Sequence, residues 1–501
     1  MINKKLEQLK GLLNEISDIN HVIAVLGWDQ QTYMPEAGAL ERGCQIETLT
    51  RIAHLKSISD DLSGLIEDLL PQVSGMDRDS DEACLILKAH RNLVKQKKVP
   101  TAWVSEFARV TTVAQSVWEK ARATSDFKLY QPHLEKIVAM RREYAEFFAP
   151  YDHIYDPQLD DYEPGMKTAD ILSIFNVLRP RLVNLIQEIT HHPQVDDAFM
   201  HQSFDEQKQW DFGVDVLNHM GFDWKRGRQD RTAHPFTTTF ALDDVRITTR
   251  FMDNYLPSAL FSSVHEGGHA LYELGFSRKL GRTPLADGAS MAVHESQSRM
   301  WENLVARSLP FWKFFYPRLQ RIYPAQLGNV NLMSFYRGIN RVEPSFIRVE
   351  SDEATYSLHI MLRLELEIAM LKGDVAVKDI PDAWNERMQS YLGLTPPDDA
   401  HGVLQDIHWA FGGIGYFPTY ALGNVISAQV WQKINADIPD LDEQMEKGKF
   451  SVLLTWLREN IHRHGAKYEP QDLVQRITGS KIVPEPYLNY LESKYRQVYL
   501  M

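Results

Sequence analysis

The amino-acid sequence predicts a mainly α fold that is large and helical and contains one small β-hairpin. Apolar residues recur at helical spacing through most of the 501 residues. Only the run 237–251 is rich in the β-branched residues that favour strands. With 44% hydrophobic residues the chain can bury an extensive core, and it contains no repeat of fixed period that would indicate a solenoid.

The helices are predicted from this periodicity, in chain order, over residues 6–16, 81–94, 103–122, 134–148, 169–189, 346–371 and 452–461. The loops between them are neither long enough nor biased enough in composition to be interdomain linkers. Although the length alone would allow about three domains, we predict a single unit over residues 1–501. Residues 1–205 are expected to form a helical wall along a deep groove, and residues 206–501 to carry the functional motifs.

The predicted hairpin lies directly before the segment with the strongest functional signal. Its β-branched residues surround the pair Asp243-Asp244, which is the expected turn. An extended peptide could pair with an edge strand of such a hairpin through main-chain hydrogen bonds, which depend little on side chains. A purely structural hairpin is the alternative.

Next comes a predicted helix, residues 260–274, with the sequence His-Glu-x-x-His at 265–269. Positions i and i+4 lie on one face of a helix, so His265 and His269 can bind a single metal ion. In this motif the glutamate, here Glu266, takes a proton from the attacking water and passes it to the leaving amine. The segment therefore predicts the metal site of a zincin-type zinc peptidase, and a pair of hydrogen-bonded core histidines is the alternative.

Two glycines, Gly267 and Gly268, stand inside this motif. In a helix interior each costs about 1 kcal/mol relative to alanine, so another requirement must favour them. We expect that a side chain there would obstruct the metal or the substrate. Tight packing against another helix is the alternative.

A catalytic zinc has three protein ligands and one open position, so a third ligand is required. The third histidine of the metzincin pattern is missing, which leaves a carboxylate on a second predicted helix, residues 289–302. We predict Glu295 as the third ligand, with Glu302 as the competitor. His294, Gln297 and Glu302 are then available for hydrogen bonds around the metal, where ligating histidines usually find partners.

Several further motifs accompany the helix that carries His-Glu-x-x-His, called the zinc helix below. They are Asp-Arg-Thr-Ala-His-Pro-Phe at 230–236, Asp-Val-Arg-Ile-Thr at 244–248, His-Glu-Ser-Gln at 294–297, Ile-Arg-Val-Glu-Ser-Asp at 347–352 and Gly-Val-Leu-Gln-Asp-Ile-His-Trp at 402–409. In identity and order they resemble the carboxypeptidase Taq family of zinc metallocarboxypeptidases over about residues 230–424, and the stretch 28–35 is similar to the family's opening. Ser351 departs from the pattern, since many members have alanine there.

The resemblance implies an enzyme that releases single amino acids from peptide C termini with broad specificity. It also implies one Zn²⁺ per chain and a homodimer. Co²⁺ is expected to be able to substitute, because cobalt or manganese can occupy such sites. Arg348 matches the family's arginine motif and is expected to bind the terminal carboxylate, because a bidentate guanidinium suits a carboxylate better than a lysine does. Arg246 is the second candidate cation, and an ordinary ion pair of Arg348 with Glu350 or Asp352 is the alternative.

Hydrogen-bond donors are also needed for the oxyanion that develops in the transition state. The candidates are His234, His408 and Tyr420 as catalytic groups and Tyr416 as a substrate-binding group. Three glycines in the segment 411–420 predict a mobile loop that presents the two phenols. Simple packing of both tyrosines is the alternative.

Two other function classes compete with the exopeptidase. A zinc endo-oligopeptidase or dipeptidyl carboxypeptidase would share the zinc helix but place its carboxylate anchor differently. A non-enzymatic protein with a structural zinc would need four ligands, often cysteines, and the chain has only Cys44 and Cys84.

Composition narrows the partners and the compartment. A net charge of −13 argues against nucleic-acid binding. No apolar stretch of membrane-spanning length and no signal core is found, so a cytoplasmic protein with free thiols is expected.

Overall fold

The computed structural model describes residues 2–501, and α-helices form most of this range, as predicted. The helices of the first part are α1 (Ile2–Thr32), α2 (Ala39–Ser57), α3 (Asp60–Leu69), α4 (Asp81–Lys98), α5 (Thr101–Thr124), α6 (Phe127–Glu146), α7 (Asp156–Leu159), α8 (Thr168–Thr190) and α9 (Glu206–Met220). Among residues 2–501, no helix combines the length and the apolar character required to cross a bilayer.

The helices of the second part follow a small sheet. They are α10 (Leu256–Glu273), α11 (Met291–Arg299), α12 (Leu309–Ile322), α13 (Pro324–Leu327), α14 (Leu332–Ile339), α15 (Glu353–Lys372), α16 (Ile380–Leu392), α17 (Pro418–Asp437), α18 (Leu441–Glu446), α19 (Ser451–Asn460), α20 (Pro470–Thr478) and α21 (Glu485–Tyr499). Helix α11 continues directly into a π-helical segment, Met300–Ala306.

The sheet has three strands, β1 (Gly227–Arg231), β2 (Thr237–Ala241) and β3 (Asp244–Thr249), in the order β1-β3-β2. Strands β2 and β3 form the predicted hairpin, and β1 pairs with β3 in parallel. Strand β1 was not predicted, because its residues Gly-Arg-Gln-Asp-Arg are polar and none is β-branched. Strand β2 lies at the sheet edge.

Two predicted helices begin seven residues away from the observed starts. Helix α6 begins at Phe127 and not at residue 134. The periodicity placed the start of the other helix at residue 346, whereas α15 begins at Glu353. The carboxylate of Asp352 accepts hydrogen bonds from the backbone N–H groups of Ala354 and Thr355 and so caps the helix. The preceding residues Arg348–Glu350 form one 3-10 turn, and this turn determines where the Arg348 side chain lies.

The buried apolar residues form two clusters. The larger one draws on residues from Trp103 to Tyr499 and includes the buried face of α10. The smaller one joins α1, α3 and α4 with Leu280 and Leu285. Residues between 103 and 204 contribute to the same large cluster as the motif-bearing part, and the division of the chain near residue 205 stays a prediction.

Candidate active site

Helix α10 forms where the sequence predicts it and carries both motif histidines on one face. Pro257 occupies the first turn, where its missing N–H is not needed. Apolar side chains such as Leu260, Val264 and Leu271 anchor the opposite face in the core. The ring centroids of His265 and His269 are 4.9 Å apart.

The two motif glycines are explained by packing, so our expectation that they keep space for the metal or substrate was wrong. A Cβ atom on Gly268 would lie 2.7 Å from the Cα atom of Ser298 and 2.9 Å from the carbonyl oxygen of Gln297. A Cβ atom on Gly267 would lie 2.5 Å from the Leu217 side chain on α9. The glycines let α10 approach α9 and α11 closely, which brings α11 within reach of the histidines.

Helix α11 places Glu295 opposite the two histidines. One ligand atom from each of His265, His269 and Glu295 lies within 4.8 Å of the others. The Nε2 atoms of His265 and His269 are 3.6 Å and 3.4 Å from Oε2 of Glu295. This is the arrangement required of three ligands that converge on one metal ion.

The residues around this triad use the other ring nitrogens. Nδ1 of His265 lies 2.9 Å from Oε2 of Glu302, so Glu302 faces the side of the ring away from Glu295. Nδ1 of His269 lies 2.5 Å from Nδ1 of His294. Glu302 and His294 were both predicted as hydrogen-bonding neighbours of the ligands. Gln297 was predicted there too, but its Oε1 atom lies 3.0 Å from Nε2 of His462 instead.

Nearby groups favour an ionised Glu295 and a neutral His269, the forms in which these two residues bind a cation. Burial alone would raise the pKa of Glu295, but the positive charge of Arg299, with a further contribution from His265 when that ring is protonated, outweighs burial and holds the pKa well below its usual range. Arg299 also pairs with Glu302 and lies over the ring of Tyr356. Burial is the main cause that lowers the pKa of His269 to about 3, which keeps this imidazole neutral.

Glu266 is buried beside the triad and has a partner that the sequence did not indicate. The hydroxyl group of Thr237, on the edge strand β2, lies 2.7 Å from Oε2 of Glu266. Burial raises the pKa of Glu266 above its ordinary value, and this outweighs the opposing effects of His265 and Thr237. A higher pKa makes this carboxylate a better proton acceptor.

Arg348 is buried and pairs with Asp406, not with Glu350 or Asp352. Its Nε and Nη2 atoms donate to Oδ1 of Asp406 at 3.0 Å and 2.7 Å, and Nη1 donates to the Tyr356 hydroxyl at 3.1 Å. The alternative of a surface ion pair was therefore wrong.

A second buried arginine shares the same carboxylate. The guanidinium of Arg363 lies 2.6 Å from the other oxygen of Asp406. Two positive charges thus face one negative charge, which leaves a net charge of +1. Burial lowers the pKa of the neighbouring His408 to about 3, so this histidine is neutral and does not change the sum.

The glycine-containing loop before α17 is buried and firmly held, so the predicted mobile loop was wrong. Glu367 accepts hydrogen bonds from the backbone N–H of Gly415 and from the Trp409 indole. Nε of Arg141 donates to the carbonyl oxygen of Gly412 at 2.8 Å. The glycines there allow close packing, since a Cβ atom on Gly415, whose φ is +99°, would lie 2.4 Å from the backbone of Gln158.

The two predicted phenols lie at the end of this loop, Tyr416, and in the first turn of α17, Tyr420. The hydroxyl of Tyr420 lies 3.2 Å from Nε2 of His408, and the rings of Tyr416 and Tyr420 are 5.3 Å apart. One turn further along α17, a Cβ atom on Gly423 would lie 2.6 Å from Cγ of Glu295. Helix α17 therefore carries Tyr420 in its first turn and packs against Glu295 through Gly423.

Two predicted residues lie elsewhere. His234 is exposed in the loop between β1 and β2 and forms no hydrogen bond with any of residues 2–501 in the structure. Arg246 pairs with Asp244 and lies 4.5 Å above the Trp28 ring, where it fastens α1 to the sheet.

Comparisons with known proteins identify the family of this chain. The family model described as carboxypeptidase Taq (M32) metallopeptidase matches residues 8–495. The chain belongs to the carboxypeptidase Taq (M32) family. A thermostable carboxypeptidase 1 from Thermus thermophilus is 39% identical, with 95% of each chain covered. A carboxypeptidase 1 from Bacillus subtilis is 37% identical, with 98% of each chain covered. The crystal structure of an M32 carboxypeptidase from Deinococcus radiodurans R1 is 37% identical, covers 99% of this chain and 100% of its own, and superposes with a TM-score of 0.97.

Family membership confirms the enzyme class, a metallocarboxypeptidase, and the mainly α fold predicted from the sequence. It does not favour the endopeptidase alternative. Within residues 2–501, the triad of His265, His269 and Glu295 is the group able to hold the divalent metal that an M32 metallopeptidase uses.

Proposed function

We propose that this M32 enzyme is a zinc carboxypeptidase that removes single residues from peptide C termini, with His265, His269 and Glu295 as ligands. The observation that carries the proposal is the spacing of the triad. Tetrahedral zinc with N and O ligands at about 2.0–2.2 Å places two ligand atoms roughly 3.3–3.5 Å apart. The histidine nitrogens lie 3.6 Å and 3.4 Å from the Glu295 oxygen, so the residues fit this ion. When bound, zinc supplies a Lewis acid that activates water and polarises the peptide carbonyl.

Glu266 is the proposed general base and acid. Its buried carboxylate accepts a proton from the attacking water and returns it to the leaving amine. Thr237 orients this carboxylate through the 2.7 Å hydrogen bond. Because Thr237 belongs to the edge strand β2, a peptide paired with this strand would run past Glu266. Main-chain pairing of this kind supports broad specificity.

Arg348 is the proposed anchor for the terminal carboxylate. Arg348 and Arg363 share Asp406 as a partner, and the buried net charge of +1 is neutralised when a carboxylate arrives. Exclusion of solvent strengthens such a pair. An anchor that requires the free terminus limits cleavage to the C-terminal end of a peptide.

Tyr420 is the proposed donor to the developing oxyanion, with His408 as its hydrogen-bonded neighbour and Tyr416 as a contact for the substrate. Supporting this assignment, the charge of Glu295 contributes to the raised pKa values of both phenols, after burial as the main cause. This electrostatic influence of Glu295 supports an assignment in which the two hydroxyl groups face the metal site.

The test is mass spectrometry of a peptide series incubated with the purified protein. We expect a ladder of products that differ by one C-terminal residue, complete loss with a chelator, and recovery on adding Zn²⁺ or Co²⁺. The His269→Ala variant is expected to lose zinc and activity together, because two remaining ligands hold the ion weakly. Internal cleavage of a C-terminally amidated peptide, or full zinc content in folded His269→Ala protein, would contradict the proposal.

We further propose a cytoplasmic homodimer in which residues 1–501 act as one unit on peptides. Two cysteines that are not joined to each other, Cys44 and Cys84, support a reducing compartment. The net charge of −13 supports peptide rather than nucleic-acid partners. The dimer rests on the family resemblance, and light scattering coupled to size-exclusion chromatography would test it.

A further inference from the structure

The two ligand histidines are supported in different ways. Their Nε2 atoms face Glu295, which leaves the Nδ1 atoms to the surroundings. Nδ1 of His265 meets the carboxylate of Glu302 directly. Nδ1 of His269 meets a second imidazole, that of His294, at 2.5 Å. Nε2 of His294 in turn lies 2.7 Å from Oε1 of Glu273, so His269 reaches a carboxylate only through His294.

The hydrogen atoms along this chain have one consistent arrangement when metal is bound. His269 gives the lone pair of Nε2 to the metal, so its proton sits on Nδ1 and must be donated. Nδ1 of His294 must then accept, which places the His294 proton on Nε2. That proton is donated to Glu273, which as a carboxylate only accepts. Glu273 therefore selects the tautomer of His294, and His294 selects the tautomer of His269.

The surrounding structure holds the His294 ring in this position. Glu273 lies one helical turn after His269 on α10, whereas His294 directly precedes Glu295 on α11. Gly288 lies against one edge of the His294 ring, since a Cβ atom on Gly288 would be only 3.1 Å from Cδ2 of His294. The Tyr272 ring also packs on it, with 5.3 Å between the ring centroids. The chain thus joins the two helices that carry the ligands.

We propose that His294 and Glu273 are positioning residues that fix the orientation and tautomer of His269 for metal binding. The inference rests on the metal site proposed above. Outer hydrogen bonds of this kind typically change metal affinity by about 10- to 100-fold.

The test measures zinc affinity of the metal-free protein by competition with a chelator, which does not depend on activity. In His294→Leu the acceptor is lost, and we expect binding to weaken by about 10- to 100-fold. In His294→Asn the side-chain oxygen stands where Nδ1 stood and can accept from His269, so most of the affinity should return. Glu273→Gln keeps an acceptor but no longer enforces one tautomer, and a smaller loss is expected.

A matched control separates this effect from damage to helix α11. The Ser290 hydroxyl caps α11 by accepting from the backbone N–H of Val293, and Ser290→Ala should cost about 1 kcal/mol of stability while leaving zinc affinity unchanged. Native affinity in His294→Leu, or an equal loss in His294→Leu, His294→Asn and Ser290→Ala, would overturn the inference. Zinc retained by His269→Ala would instead overturn the proposed ligand set, and the inference with it.

A second measurement uses the native protein and so does not depend on whether a variant folds. In zinc-loaded native protein labelled with ¹⁵N-histidine, Nδ1 of His294 should give the signal of an unprotonated nitrogen and Nε2 that of a protonated one. The opposite tautomer would overturn the inference.

Discussion

Replacing Arg348 tests the exopeptidase mechanism most directly. In the native protein its guanidinium donates twice to Asp406 and once to Tyr356. In Arg348→Ala, Asp406 keeps the ion pair with Arg363 at 2.6 Å, so no buried carboxylate is left without a partner. We therefore expect a folded variant whose main loss is the +1 charge that receives the substrate.

The expected loss follows from a desolvated, charge-assisted pair. Such a contact contributes about 2–4 kcal/mol to transition-state binding, which corresponds to a fall in kcat/KM of about 30- to 900-fold for free-acid peptides. For peptides with an amidated C terminus the partner charge is absent. The same mutation should then change kcat/KM by less than about threefold, from an already low native value.

The assay is a double-mutant cycle on matched acid and amide peptides with native and Arg348→Ala proteins. Arg348→Lys is the control, because it keeps the charge but loses the bidentate fork. Its kcat/KM on acid peptides should lie between those of the native and Arg348→Ala proteins. Equal losses on acid and amide would refute the anchor and make Arg348 structural. Efficient cleavage of the amide by native protein would refute the exopeptidase mechanism itself.

Three further predictions concern the base, the helix contact and a buried acid. Glu266→Gln should retain zinc but lose about 100-fold or more in turnover, because the proton acceptor is removed; near-native kcat would assign the base elsewhere. Gly268→Ala should lower the free energy of unfolding in urea by about 1–3 kcal/mol, because its Cβ atom would meet the Ser298 backbone. Gly267→Ala should lower it by less, since the new Cβ atom meets only the flexible end of the Leu217 side chain. Equal losses of stability in the two variants would contradict this explanation. Burial raises the pKa of Glu163 to about 8, so between about pH 4.5 and 8 the unfolded chain ionises there while the native protein stays protonated, and native stability is lost as the pH rises. Glu163→Gln removes this loss. The free energy of unfolding of Glu163→Gln in urea should therefore exceed that of the unchanged protein by an amount that grows from pH 5 to pH 8, and a constant difference would contradict the assignment.

What could be predicted from the sequence was mostly local. The pairing of His265 with His269 follows from helical geometry alone, since residues four apart share one face. The hairpin of β2 and β3 was likewise visible in its β-branched residues and the connection near Asp243. Glu273 could have been found in the same way, because it lies four residues after His269 on the same face.

Local signals failed wherever a backbone cap or a polar strand was involved. The start of α15 depends on hydrogen bonds from Ala354 and Thr355 to Asp352, which apolar periodicity does not encode. Strand β1 depends on pairing with β3 and has no pattern of its own.

The sequence by itself thus determined the helical fold, the zinc motif and, through the order of its motifs, the family. Only the tertiary structure brought Glu295, and not Glu302, close to the Nε2 atoms of both histidines, assigned the motif glycines to packing, and gave Arg348 its partner. The physical reason is that these choices depend on how separate helices approach and rotate against one another. Glu295 lies 30 residues after His265, and Asp406 lies 58 residues after Arg348. Contacts over such separations follow from the packing of the whole core and not from the spacing of residues within one helix.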